Sequence, residues 1–271
     1  MSAARPDNEA ISVLVKGLGK RFWLGESGRP RGLHEAYERL VARGAVFIGA
    51  RGKGESVERE SLWALRNLEF SVAPGELIGL IGNNGAGKSV LLKILSRITY
   101  PTEGYAEVAG RIGSMLEVGA GFHPEFTGRE NVFLVGAILG MPADEINARF
   151  DDIVRFAEVE NFLETPVKKY SSGMAVRLAF AVASHLDANI MLFDEVISVG
   201  DTAFREKCED KVRAMALEGR TVFFVSHNMQ TIANFCPRVL LLESGQLSFD
   251  GSSAEGLERL RAAQQAGGAG R

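Results

Sequence analysis

The run GNNGAGKS at residues 82–89 sets Gly82, Gly87, Lys88 and Ser89 in the pattern G-x-x-x-x-G-K-[ST]. Glycines let a backbone wrap closely around a phosphate, and the residues between them, Asn83, Asn84, Gly85 and Ala86, bring N–H groups to bear on it. Lys88 neutralises the outer phosphates, and Ser89 offers a hydroxyl to Mg²⁺. A second chemical stretch, NIMLFDE, is an apolar run that ends in Asp194 and Glu195. Asp194 would face the metal, and Glu195 would polarise a water for in-line attack on a γ-phosphate. Taken alone, the same acid pair suits the start of a helix, where the positive end of the dipole favours acids. Further on, FFVSHN places His227 just past another apolar run, where a lone histidine is more often a satisfied loop residue than a catalytic one.

These residues need a frame. ELIGLIG at 76–82 reads as a strand covered on both faces, and SVLLKILSRI after the glycine–lysine run has helical periodicity. Strands are also expected at 11–15, 68–72, 190–193, 221–226 and 239–242. YAEVAGRIGSM is β-rich, and a mostly helical region runs from about Gly128 to His185. The alternation predicts an α/β sheet with a helical insertion. Between the first two strands lies a Gly- and Arg-rich insert at about 23–61. Within it Leu33, Ala36, Tyr37, Leu40 and Val41 share one helical face. That face either packs on its own domain or meets acidic headgroups or a pyrophosphate-linked lipid through Arg29, Arg31, Arg39, Arg43 and Arg51.

A net charge of −3 gives no general pull toward nucleic acid. Cys208 and Cys236 stand in no metal-ligand spacing and read as structural thiols of a reducing compartment. The first residues, MSAARPDNEA, lack a signal segment, and VFLVGAILGM from Val132 to Met141 is about half of the roughly 20 residues that a span needs, so a buried helix is expected there. The tail GSSAEGLERLRAAQQAGGAGR reads as a short helix with a frayed end.

YSSGMAVRLAFAVA at 170–183 precedes the acidic strand by about twenty residues, and with it the chain resembles the ATP-binding cassette (ABC) ATPases from about Ile11 to Leu247. GNNGAGKS is similar to the Walker A loop, Asp194 and Glu195 to the Walker B pair, YSSGM to the signature, SVGD ending in Asp201 to the D-loop, and His227 to the switch histidine. Phe22 resembles the aromatic that stacks on adenine, with Trp23 as its rival. The resemblance implies a P-loop nucleotide-binding domain with an antiparallel β subdomain and a helical subdomain. The core would be split as 1–117 and 176–250, with the helical part at 118–175 and a C-terminal helix and flexible tail at 251–271. It also implies ATP and Mg²⁺ as cofactors, and a head-to-tail homodimer in which Ser171 and Gly173 of one copy meet the γ-phosphate held by the other. Tyr170, Ser172 and Met174 depart from the usual LSGGQ. The glutamine expected within LEVGAGFHPEFTGREN at 116–131 is missing, and Glu117 is the nearest polar residue.

LEVGAGFHPEFTGRENV, YSSGM and DEVISVGD together resemble the ATPases of bacterial exporters of O-antigen, capsule and teichoic acid. That branch implies a peripheral subunit at the cytoplasmic face of the inner membrane, paired with two copies of a membrane permease that moves lipid-linked polysaccharide. Nothing after GQLSFD is long enough for the carbohydrate-binding domain that some relatives carry, so polymer recognition is expected elsewhere. Rival readings are an ABC subunit of another small-molecule or lipid transporter, a soluble ABC protein acting on ribosomes or DNA, and a nucleotide switch without turnover. The soluble rival usually joins two cassettes in one chain or carries a long coiled coil, and neither is visible here.

Overall fold

The computed structural model describes residues 10–23, 61–115, 121–194, 201–226 and 228–268. The chain divides into two compact units, one of Met1–Lys20 with Ala64–Arg271 and one of Arg21–Trp63. The insert helix expected around residues 33–43 lies outside the described residues.

A six-stranded sheet forms the centre, in the order β5 (Ile112–Met115), β6 (Ile190–Asp194), β7 (Thr221–Val225), β3 (Leu77–Ile81), β8 (Arg238–Glu243), β9 (Gln246–Ser252). The first five strands run parallel, and β9 returns antiparallel on β8. A smaller sheet has the order β2 (Ser61–Val72), β1 (Val13–Trp23), β4 (Glu103–Val108), with β1 and β4 antiparallel.

Period-two alternation explains why the central strands are apolar throughout. Ile78 and Leu80 of β3, Ile190 and Leu192 of β6, and Phe223 and Val225 of β7 point into a core shared with β1, β2 and helix α1 (Lys88–Leu95). Their neighbours Leu77, Ile81, Met191, Phe193, Val222 and Phe224 point the other way. There they meet α2 (Gly128–Ile138), α3 (Ala143–Ala157), α4 (Ser172–Ser184), α5 (Thr202–Leu217), α6 (Met229–Phe235) and α7 (Ser253–Gly268). Helices α2, α3 and α4 pack on one another, as the helical stretch from Gly128 predicts.

Several boundaries differ from the expected ones, each for a local reason. β1 starts at Val13, because Ile11 is half exposed, and it continues to Trp23 by way of a bulge between Lys16 and Gly19. The β-rich stretch splits between the two sheets at Gly110, whose φ of +93° turns the chain against Asn189. The apolar run from Val132 is helical only as far as Ile138, which is 62% exposed, and three of its ten residues, Ala137, Ile138 and Gly140, lie at the surface. Strand β9 has no counterpart among the expected strands. Among the described residues no helix is long and apolar enough to cross a membrane.

Candidate phosphate-binding site

The carboxyl ends of parallel strands are where open α/β sheets hold ligands, and the chemical motifs gather there. β3 ends at Ile81 and runs directly into the glycine loop. β6, two strands away across β7, ends at Asp194. A cleft of about 310 Å³ is lined by residues 84–90 together with Ala64 and Asp194. Asn84, Gly85, Ala86, Gly87, Lys88, Ser89 and Asp194, predicted from two distant motifs, therefore meet in one place.

The loop is built for close approach. Gly87 caps α1 with φ of +104°, and a Cβ there would strike Leu65 Cδ2 at 2.5 Å and Ala64 O at 2.7 Å. With no capping side chain, the first-turn N–H groups of α1 face the cleft, together with the positive end of the helix dipole. Gly85 has nothing within 4 Å of where its Cβ would stand. The loop is also braced from outside: Gly245, in the β8–β9 turn, donates its N–H to Ala86 O at 3.2 Å and accepts from Arg66 N at 2.8 Å.

Lys88 is buried, and its Nζ donates to Gly82 O at 2.7 Å and Asn83 O at 3.1 Å, so the ammonium is carried by the loop it serves. Ser89 is exposed at the head of α1 and shares the cleft lining with Asp194. A hydroxyl and a carboxylate are hard oxygen donors, the kind Mg²⁺ takes in small number beside phosphate oxygens, so this pair fits that ion.

The signature residues lie elsewhere. Ser171 caps α4, accepting from Met174 N at 3.2 Å. Gly173 follows in the first turn, with only Ser171 Oγ within 4 Å of its Cβ position. Neither belongs to the cleft lining. The tyrosine that replaces leucine in the signature has a visible seat. Tyr170 donates its hydroxyl to Phe162 O at 2.8 Å, and a Cβ on Gly128 would collide with the Tyr170 hydroxyl oxygen. Burial raises the Tyr170 pKa.

Asp201 caps α5, accepting from Phe204 N at 2.9 Å, and pairs with Arg177 of α4. Its carboxylate is thus committed within its own chain and lies outside the cleft lining. The bond from Phe204 N holds its pKa low, helped by the Arg177 charge. Arg177 also pairs with Glu158 at 2.8 Å and lies over the Phe204 ring, and Lys207 of α5 reaches Glu158 at 2.9 Å. This knot ties α3, α4 and α5. Sequence reasoning missed it, although Arg177 stands one turn beyond the signature.

Phe22 is 44% exposed, while Trp23 carries the Arg21 guanidinium 4.5 Å from its ring centre. Glu195, His227 and Glu117 lie outside the described residues. Asn83 is exposed at the loop's edge and is not part of the cleft lining. Both cysteines are free and buried; burial pushes the Cys208 thiol up to about 12 and raises the Cys236 thiol as well.

The ABC transporter family profile matches residues 65–198. The chain is 41% identical over 244 residues to the O-antigen export system ATP-binding protein RfbB of Myxococcus xanthus, which covers 90% of this chain and 54% of that protein. It is 42% identical over 195 residues to the protein of the same name from Klebsiella pneumoniae, 72% of this chain and 79% of that one. With the teichoic acids export ATP-binding protein TagH of Lactiplantibacillus plantarum it shares 41% over 206 residues, 76% of this chain and 56% of the relative. The chain therefore spans about half the length of two of these three. Among solved structures, a dimeric ATP-binding cassette in a post-hydrolysis state bound to ADP and Pi superposes with a TM-score of 0.67 at 22% identity, covering 89% of this chain and 98% of the other.

Proposed function

This chain belongs to the ABC transporter family, and from that premise we propose that it is the ATP-hydrolysing subunit of an exporter of lipid-linked polysaccharide such as O-antigen, capsule or teichoic acid. The observation that carries the reading is the cleft in which the glycine loop, Lys88, Ser89 and Asp194 converge from the ends of β3 and β6. The export branch rests on relatives named for O-antigen and teichoic acid export at 41–42% identity.

In this reading the N–H groups of the loop and of α1 hold the phosphates of ATP, and Lys88 moves its charge onto the outermost. Ser89 and Asp194 would hold Mg²⁺, which would supply charge neutralisation of the phosphates. Glu195 takes the proton of the attacking water, and His227 contacts the γ-phosphate. Ser171 and Gly173, at the open start of α4, complete the site of a second copy in a head-to-tail dimer. ATP then favours the closed pair because only there do these donors reach its γ-phosphate. Closure and reopening drive two copies of a membrane permease, with the subunit peripheral on the cytoplasmic face and no nucleic acid partner.

Two measurements test this. Phosphate release by the purified chain with Mg²⁺ and ATP should fall at least about 100-fold in Glu195→Gln. Unchanged turnover removes that residue from the role. Deletion of the gene should leave lipid-linked polymer inside the cell and none at the surface, and an unaltered surface polymer rejects the export reading.

A further inference from the structure

The last described helix reaches the phosphate loop. α7 is seated by Leu257 and Leu260, 4% and 1% exposed, in the same core as Ile232 and Phe235 of α6. The seat is tight: a Cβ on Gly256 would stand 2.3 Å from Val239 Cγ2 of β8, and Arg259 covers the Phe249 ring of β9 at 4.3 Å. Residues 257, 260 and 264 share one helical face, spaced i, i+3 and i+7. The third of them is not apolar. Gln264 donates its Nε2 hydrogen to Asn83 Oδ1 at 3.1 Å, joining two residues 181 positions apart.

Asn83 is the hub of the loop's own bonding. Its backbone carbonyl accepts from Ala86 N and from Lys88 Nζ, each at 3.1 Å. A continuous set of contacts thus runs from the core through α7 and Gln264 to Asn83, and from Asn83 to the ammonium of Lys88. We propose that Gln264 is a positioning residue for nucleotide binding: it holds Asn83, and through it the carbonyl that sets where the Lys88 charge stands. This rests on the reading that GNNGAGKS binds nucleotide phosphates. It gives α7 a function in which the helix that packs on α6 also governs the loop's hold on ATP.

The test measures Mg²⁺–ATP affinity by titration calorimetry for the parent chain, Gln264→Met, Asn83→Ala and the double variant, with melting temperatures taken without nucleotide. Methionine keeps the length of the side chain and removes the donor. Loss of one hydrogen bond predicts about a two- to tenfold weaker affinity in Gln264→Met, with an unchanged melting temperature. In the Asn83→Ala background the same change should have no further effect, because the acceptor is already gone. Parental affinity in Gln264→Met overturns the proposal, as does an equal loss in both backgrounds, which would mean that Gln264 acts by some route other than Asn83. A parent chain that binds no nucleotide refutes the site itself and this proposal with it, and that result differs visibly from failure of the Gln264 contact alone.

Discussion

At the scale of the residue, Lys88 is the sharpest case. A buried ammonium is tolerated only where polar groups surround it, and here loop carbonyls do so at 2.7 and 3.1 Å. Lys88→Ala should weaken ATP binding by about 100-fold or more, the size expected for losing charge-assisted bonds to phosphate, as measured by calorimetry. Retained affinity would disprove the cradle. Gly128 and Tyr170 form a second local pair. Gly128→Ala should destabilise the fold by about 1–2 kcal/mol in urea unfolding, because the methyl displaces the Tyr170 hydroxyl from Phe162 O. Adding Tyr170→Phe should recover part of that loss, since the colliding oxygen is then absent. The cysteines give a simpler expectation: with the Cys208 pKa raised to about 12, both buried thiols should resist alkylation at neutral pH until the protein is denatured.

Among the elements, α3, α4 and α5 are joined by charge as well as by packing. Glu158 ends α3 at φ of +58° and receives both Lys207 and Arg177. The Lys207 hydrogen bond, reinforced by both positive charges, holds its pKa below the ordinary carboxylate value of 4.5. A depressed folded-state pKa means that the stabilisation is complete above that value and is lost as pH falls through the lower one. Melting temperature followed from pH 6 downward should therefore drop less steeply in Glu158→Gln than in the parent, the difference opening below about pH 4.5. Parallel curves would contradict it. The elements also show what could be read in advance. β3, β6, β7 and β8 were legible because a strand buried on both faces must be apolar at every position. β9 was not, because QLSFDGS alternates half-buried and exposed residues and is held by β8, a neighbour defined only in three dimensions.

For the molecule as a whole, the glycine loop that lines the cleft was legible because its pattern is local: glycines, lysine and serine fall within eight consecutive positions. The position of Asp194 at the end of β6 was legible for a similar reason, an apolar strand that ends in an acid. The brace from Gly245, the knot around Arg177 and the Gln264–Asn83 contact join segments far apart in sequence, and no spacing announces them. The same division applies to the active centre. Ser171 and Gly173 lie outside the cleft lining of their own chain, as the composite site proposed above requires. Light scattering of the Glu195→Gln chain, which should hold ATP without cleaving it, tests this most directly. The account predicts that saturating Mg²⁺–ATP doubles the mass from the 29.3 kDa of one chain and that ADP does not. A mass that stays at one chain under ATP, while the parent cleaves ATP at a rate per chain independent of protein concentration, would contradict it.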